Sequence, residues 1–208
     1  MPYFSPPEAL PDTLTVVRPP PSFEPSDVAR VSVEFLVVGD SADDLFEMYR
    51  AAFVPLHSRA ALGHLLPRSE FDTVLRAPTV SKIIAWDHKD RAIGMATLTT
   101  DLTTEHISEL FFADRFPEEY ARNELFYLGF LLVRPDAQRG GVLAAMVKSV
   151  VSHVSALGGV VAFDVCKFND DTFKFAQSCA LLARRIRASS MATVDVQTYY
   201  AVRFPPAS

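Results

Sequence analysis

Leu132-Val133-Arg134-Pro135-Asp136-Ala137-Gln138-Arg139-Gly140-Gly141-Val142-Leu143-Ala144-Ala145-Met146-Val147 decides the reading of this chain. An apolar run stops at a proline turn, passes two glycines and opens into an apolar-striped segment, which is strand, turn and helix in succession. The first turn of a helix has N–H groups without intrahelical partners, and the macrodipole adds partial positive charge, so a glycine-smoothed helix entry binds anionic oxygens. Gly140 and Gly141 let the backbone come close, and Arg134 and Arg139 add positive charge. The plain alternative is an ordinary strand-turn-helix joint made tight by two glycines.

Working outward, Leu125 to Val133 is almost wholly apolar and reads as a strand covered on both faces. Gly129 in its middle marks a bulge or the close approach of another group to the backbone. After the turn, Leu143, Val147, Val150, Val151, Val154 and Leu157 form a helical stripe that ends at Gly158-Gly159. Val160 to Val165 predicts the next strand, Asp171 to Arg185 a helix and Thr193 to Phe204 a last strand. Upstream, Val31 to Val38 predicts a strand, Asp43 to Phe53 a helix, and Ser58 to Leu75 a second helical segment with a break or new start at Pro67. Thr79 to Trp86 and Ala92 to Leu102 predict two strands joined by the polar loop Asp87-His88-Lys89-Asp90. Leu110 to Asn123 carries a short helix from Pro117 through Tyr120.

The 208 residues suffice for one domain with a substantial core. Eight of the 15 prolines fall in residues 1 to 25, which sets residues 1–30 apart as a proline-rich arm before a domain over 31–208. A net charge of −5 argues against a nucleic-acid partner, which needs a basic face, and suits a cationic amine. Cys166 and Cys179 have neither metal nor disulfide spacing and read as free thiols. His57 and His64, seven apart, lack a carboxylate at ligand spacing, so no metal is expected. No basic-then-apolar leader and no membrane-length apolar run occur, so the expectation is a cytoplasmic chain without a membrane partner. Rossmann and phosphate-loop glycine patterns are absent.

The glycine turn resembles motif A of the GNAT family of N-acetyltransferases, V-x-P-x-x-(Q/R)-x-x-G-x-(G/A). Val133, Pro135, Gln138 and Gly141 match it, and Leu143 stands where the last small residue would be. The element order, over about residues 31 to 204, is also that of the acetyltransferase fold. The resemblance implies a mixed α/β fold: a twisted, mostly antiparallel sheet with a splayed parallel pair and helices on both faces. It implies acetyl-CoA as co-substrate, with the backbone of Leu131, Leu132 and Val133 pairing with the pantetheine amides. It implies further that the turn from Gln138 through Arg139, Gly140, Gly141 and Val142 to Leu143 holds the pyrophosphate. Asn169 matches the asparagine that bonds the cofactor arm; read by itself it is a helix N-cap.

Acetyl transfer to an amine requires a neutral nucleophile and a proton for the departing thiolate. Here the chain departs from the family, because the position that often carries the glutamate base is Gly129 and the one that often carries the tyrosine acid is Ala176. Tyr127, two residues before Gly129 and so on the same strand face, is the candidate catalytic side chain, against a plain role in the core. Ser178 and Cys179 are candidates to meet the thiolate, and Asp164 reads as a solvated or helix-packed carboxylate. Glu109, Asp114, Glu118, Glu119 and Glu124 lie where an acceptor site would have its wall, together with Phe111, Phe112, Phe116 and Tyr120.

The expected function is acetyl-CoA-dependent N-acetylation of a primary amine, on a small molecule or a peptide, by direct attack. The rivals are a CoA-binding, non-catalytic protein on the same fold, an acyltransferase for longer chains, and a role for the proline arm in binding a partner. Monomer and homodimer both remain open.

Overall fold

The computed structural model describes residues 27–61, 65–138, 141–187 and 189–203. Its centre is a five-stranded sheet in the order β1 (Arg30–Glu34), β2 (Val80–Trp86), β3 (Ala92–Thr99), β4 (Leu125–Val133), β5 (Val160–Ala162). The first three pairings are antiparallel and the last, β4 with β5, is parallel. This is the mixed sheet that the resemblance implies.

Helices cover both faces, as the fully buried β3 requires. On one face lies α5 (Val142–Leu157), whose Val142, Met146, Val150 and Val154 pack on Ile83, Ala96, Leu98, Phe126 and Leu128. On the other lie α1 (Asp40–Phe53) and α2 (Arg68–Arg76). There Tyr49, Phe71 and Phe130 form an aromatic cluster with centroids 4.9 to 6.3 Å apart. The fully buried Phe71 and Leu75 make α2 a short helix held by packing: each such side chain contributes about 1.5–3 kcal/mol. A smaller cluster joins Leu102, Leu125 and Tyr127 to Phe112 of α3 (Glu109–Arg115) and to Phe116, which leads into α4 (Pro117–Ala121).

Several boundaries differ from the sequence expectations. β1 stops at Glu34 instead of Val38, because Val37 N–H donates to Leu75 O and draws the chain off the sheet toward α2. Residues 58–61 and 65–67 are not helical; a 3-10 turn at Val54–Leu56 follows α1, and α2 starts only after the extended Pro67. The expected helix from Asp171 is two helices, α6 (Lys167–Phe173) and α7 (Phe175–Ile186), broken at Lys174 with φ +50°. Asp170 Oδ1 accepts from Ala176 N–H at 3.0 Å and so satisfies the first turn of α7. β5 has three residues instead of six. The last strand does not form in the described part of 193–204: Val196 is 75% and Tyr200 91% exposed. Alternating apolar residues make a strand only against a partner edge, and β5 offers a very short one. Residues 1–26 of the arm, together with Arg139, Gly140, His64 and Phe204, lie outside the described residues.

Candidate functional site

The helix entry has the geometry that the glycine turn predicts. Gly141 caps α5 at φ +74°, ψ 7°, a left-handed conformation that a side chain disfavours. Its carbonyl accepts from Ala145 N–H at 3.0 Å, which starts the helix. Among the described residues no side chain caps the first turn and no acidic residue lies in it, so the leading N–H groups of this 16-residue helix lack intrahelical partners and carry the partial positive charge of the helix start. Val142 is fully buried against the sheet, while Leu143 is half-buried and Gln138 exposed. Arg134 does not point its charge freely at this turn, since its Nε donates to Ala92 O at 3.0 Å.

Leading into the turn, β4 pairs with β5 only over Leu125↔Val160, Phe126↔Val161 and Tyr127↔Ala162. From Leu128 to Val133 the strand continues without that neighbour. Backbone amides and carbonyls on such an edge require partners, and an extended molecule with amides of its own supplies them. Among the described residues this edge is unpaired, and the chain passes from it through a 3-10 turn at Pro135–Ala137 toward the start of α5.

At the point of parting, β4 bulges. Leu98 pairs with Leu128 and Ala96 with Leu131, so Thr97 alone opposes Gly129 and Phe130. The extra residue switches the strand's alternation. Phe126 and Leu128 pack toward α5 before it, and Leu131 and Val133 do so after it. Phe130 N–H donates to Thr97 Oγ1 at 3.2 Å. A Cβ on Gly129 would lie 2.8 Å from Thr97 Oγ1 and 3.0 Å from each carboxylate oxygen of Glu105. The close approach anticipated at Gly129 is thus the approach of a carboxylate from a distant segment.

Glu105 was not singled out in the sequence; the lone glycine in β4 was the only signal, and it names no partner. Burial raises the Glu105 pKa; His106 pulls it down and Asp164 pushes it up. Tyr127, on the same face of β4, is 4% exposed and donates its hydroxyl to Asp164 Oδ1 at 2.6 Å. Burial first, then the Asp164 hydrogen bond and the charges of Asp164 and Glu105, drive the Tyr127 pKa far above its ordinary value. Glu105, Gly129, Tyr127 and Asp164 therefore form one constellation where β4 and β5 separate.

The other candidates are more dispersed. Asn169 lies within α6, half-buried, and the N-cap of that helix is Cys166, so the capping reading of Asn169 does not hold. Ser178 and Cys179 lie on α7, where burial holds the Cys179 thiol up at about 11. Of the aromatic segment, Phe112 and Phe116 pack beneath Tyr127, whereas Glu109 and Tyr120 line an open cleft of about 500 Å³ with Thr79 and Asn123. Tyr120 donates to Glu109 Oε1 at 2.5 Å, and this bond raises the tyrosine's pKa.

No family model matches the chain, and no curated protein matches it. Solved structures do resemble it. An aminoglycoside acetyltransferase, meta-AAC0020, from an uncultured soil metagenomic sample in complex with sisomicin is 15% identical, with 83% of this chain and 97% of that one covered and a TM-score of 0.49. AAC(6')-Iy in complex with a bisubstrate analogue, CoA-S-monomethyl-acetylneamine, is 15% identical over 84% and 99%, with a TM-score of 0.48. The ribosomal-protein-S18-alanine N-acetyltransferase from Escherichia coli is 11% identical over 72% and 76%, with a TM-score of 0.47. The likeness is one of fold.

Proposed function

We propose that this protein is an acetyl-CoA-dependent N-acyltransferase that acetylates a primary amine by direct attack. The observation that carries the reading is the pairing of two backbone features: the β4 edge from Leu128 to Val133, without a strand neighbour among the described residues, and the N-terminus of α5 at Gly141, without a side-chain cap among them. The edge suits an amide-containing arm, and the helix entry suits a pyrophosphate. In this reading Leu131, Leu132 and Val133 line the arm, Gln138 to Leu143 hold the phosphates, and Asn169 on α6 meets the arm from the far side of the gap. The acyl group then ends beside Gly129. Tyr127 belongs to the site as the residue that holds Asp164 there, and the acidic surroundings suit a cationic acceptor, whether a small molecule or a peptide.

Calorimetric titration with acetyl-CoA and free CoA tests this. Wild type is expected to bind both in the micromolar range, and Gly141→Trp, which fills the turn and forces a left-handed side chain, to lose at least 100-fold. Thiol release with a panel of primary amines then separates an enzyme from a CoA-binding protein without turnover. A folded wild type that binds neither ligand would overturn the proposal.

A further inference from the structure

An amine with an ordinary pKa near 10 is charged at neutral pH and has no free electron pair, so an acetyl-transfer site must take a proton from it before attack. Strand β4 has only a glycine where the chain leaves its neighbour β5. We propose that Glu105, delivered from outside the strand into the notch at Gly129, is the general base that deprotonates the acceptor amine; this rests on the acyltransferase reading above.

The turn that delivers Glu105 is anchored on both sides. Leu102, 2% exposed, packs with Leu125 and Tyr127, and Ile107 joins the same cluster beyond it. Asp101 organises the 3-10 turn Leu102–Thr104, its carboxylate accepting from Thr103 Oγ1 at 2.6 Å and its carbonyl from Thr104 Oγ1 at 2.7 Å. Asp101 N–H in turn donates to Thr99 Oγ1 at the end of β3. Glu105 N–H closes the turn on Leu102 O at 3.3 Å. The side chain then reaches the bulge, where any Cβ on residue 129 would crowd both carboxylate oxygens. Gly129 is thus the residue type that lets this carboxylate lie against the backbone.

The position suits a base. Among the described residues, the Glu105 shift arises from burial and charges, with no hydrogen bond to the carboxylate. The groups that face it are His106 on its own turn, Asp164 beyond β5, Tyr127 of β4 and Thr97 of β3. Tyr127 occupies Asp164 Oδ1, so of the two carboxylates Glu105 is the one without a hydrogen-bond donor among the described residues. In the reaction Glu105 accepts one proton from the ammonium. The amine lone pair forms the C–N bond to the thioester carbonyl carbon as the C–S bond breaks. The second amine proton goes to the departing thiolate, and Glu105 returns its proton to solvent. The net change is ammonium and acetyl thioester to amide, thiol and one proton.

The test compares wild type, Glu105→Gln and Gly129→Ala by acetyl-CoA calorimetry and by kcat/KM between pH 6 and 10. The acceptors are a panel of primary amines comprising a polyamine, an aminoglycoside and a lysine peptide. Glu105→Gln is expected to bind acetyl-CoA within about twofold of wild type, which also reports folding, and to lose about 10²–10⁴-fold in kcat/KM at pH 7. That loss should shrink as pH nears the amine's own pKa, because the free amine then needs no base. Gly129→Ala, which displaces the carboxylate, should show a smaller loss with the same pH trend. Turnover by Glu105→Gln with an unchanged pH profile would overturn the assignment of the base and leave the acyltransferase reading standing. Absence of thiol release by wild type with every amine would overturn both.

Discussion

The Tyr127 hydroxyl donates a 2.6 Å hydrogen bond to Asp164 Oδ1 immediately beyond the last β4–β5 pair, Tyr127↔Ala162. The bond ties the two strands together where their backbones stop doing so. Replacing Tyr127 by Phe removes a bond to a carboxylate and is expected to cost about 1.5–3 kcal/mol in chemical denaturation. Because burial and Asp164 hold the hydroxyl protonated, it is a poor acid, and turnover should stay within tenfold of wild type. A drop beyond 100-fold with acetyl-CoA binding intact would instead make Tyr127 the proton donor.

Gly94 on β3 controls the seating of α5. A Cβ there would lie 2.6 Å from Met146 Sδ and 2.7 Å from Val142 Cγ1, the latter in the first residue of the helix. Gly94→Ala is expected to destabilise by about 1–3 kcal/mol through overpacking and to weaken acetyl-CoA binding, since the helix start must move. Adding Met146→Ala should relieve the overpacking only in part, as Val142 still interferes. Thermal unfolding and calorimetry on both variants give the two readouts.

Lys82 in β2 has no exposed surface, and its Nζ donates to Ala77 O at 2.7 Å and Phe35 O at 3.0 Å. Burial lowers its pKa from 10.5 to about 8. Below pH 8 both states are protonated, and the folded state bears the whole cost of a buried charge. Between pH 8 and 10.5 the folded lysine is neutral while the unfolded one still binds its proton, so this contribution to stability rises with pH. Lys82→Met abolishes the effect. The stability difference, wild type minus Lys82→Met, should therefore climb from pH 8 to pH 10.5, and urea denaturation at closely spaced pH values measures it; a flat difference would show that Lys82 titrates normally.

Asp170 links α6 to α7 by accepting from Ala176 N–H at 3.0 Å. Asp170→Ala leaves that donor without its side-chain partner and is expected to cost about 0.5–2 kcal/mol, as loss of a helix cap does. Amide hydrogen exchange should show the change concentrated in the first turn of α7.

The local rules of the chain were enough for several elements. The apolar run Leu125–Val133 is β4 with those bounds, and the stripe expected from Leu143 to Leu157 lies on α5, although the buried face is Val142, Met146, Val147, Val150 and Val154 and Leu157 is exposed. Gly158 ends α5 at φ +74°, and the polar stretch after Trp86 joins β2 to β3. Each follows from side-chain period or from a backbone angle that only certain residues favour, and both are properties of neighbours in sequence. The positive φ at Gly141 belongs to the same class, which is why the helix entry was legible.

The acidic constellation was not legible, because it is made by register. A one-residue bulge opposite Thr97 switches the alternation of β4, and the anchored turn after β3 brings Glu105 against Gly129 of the neighbouring strand. The sequence marked Gly129 as the place of a bulge or of a close approach, since a strand interior otherwise favours a side chain that packs, and both occur there. Only the tertiary structure decided that the group is a carboxylate. It also decided that β5 stops after Ala162 and that the apolar alternation from Thr193 to Arg203 finds no edge to pair with. Strand pairing and side-chain convergence depend on contacts between distant segments, and no local pattern specifies which segments those are.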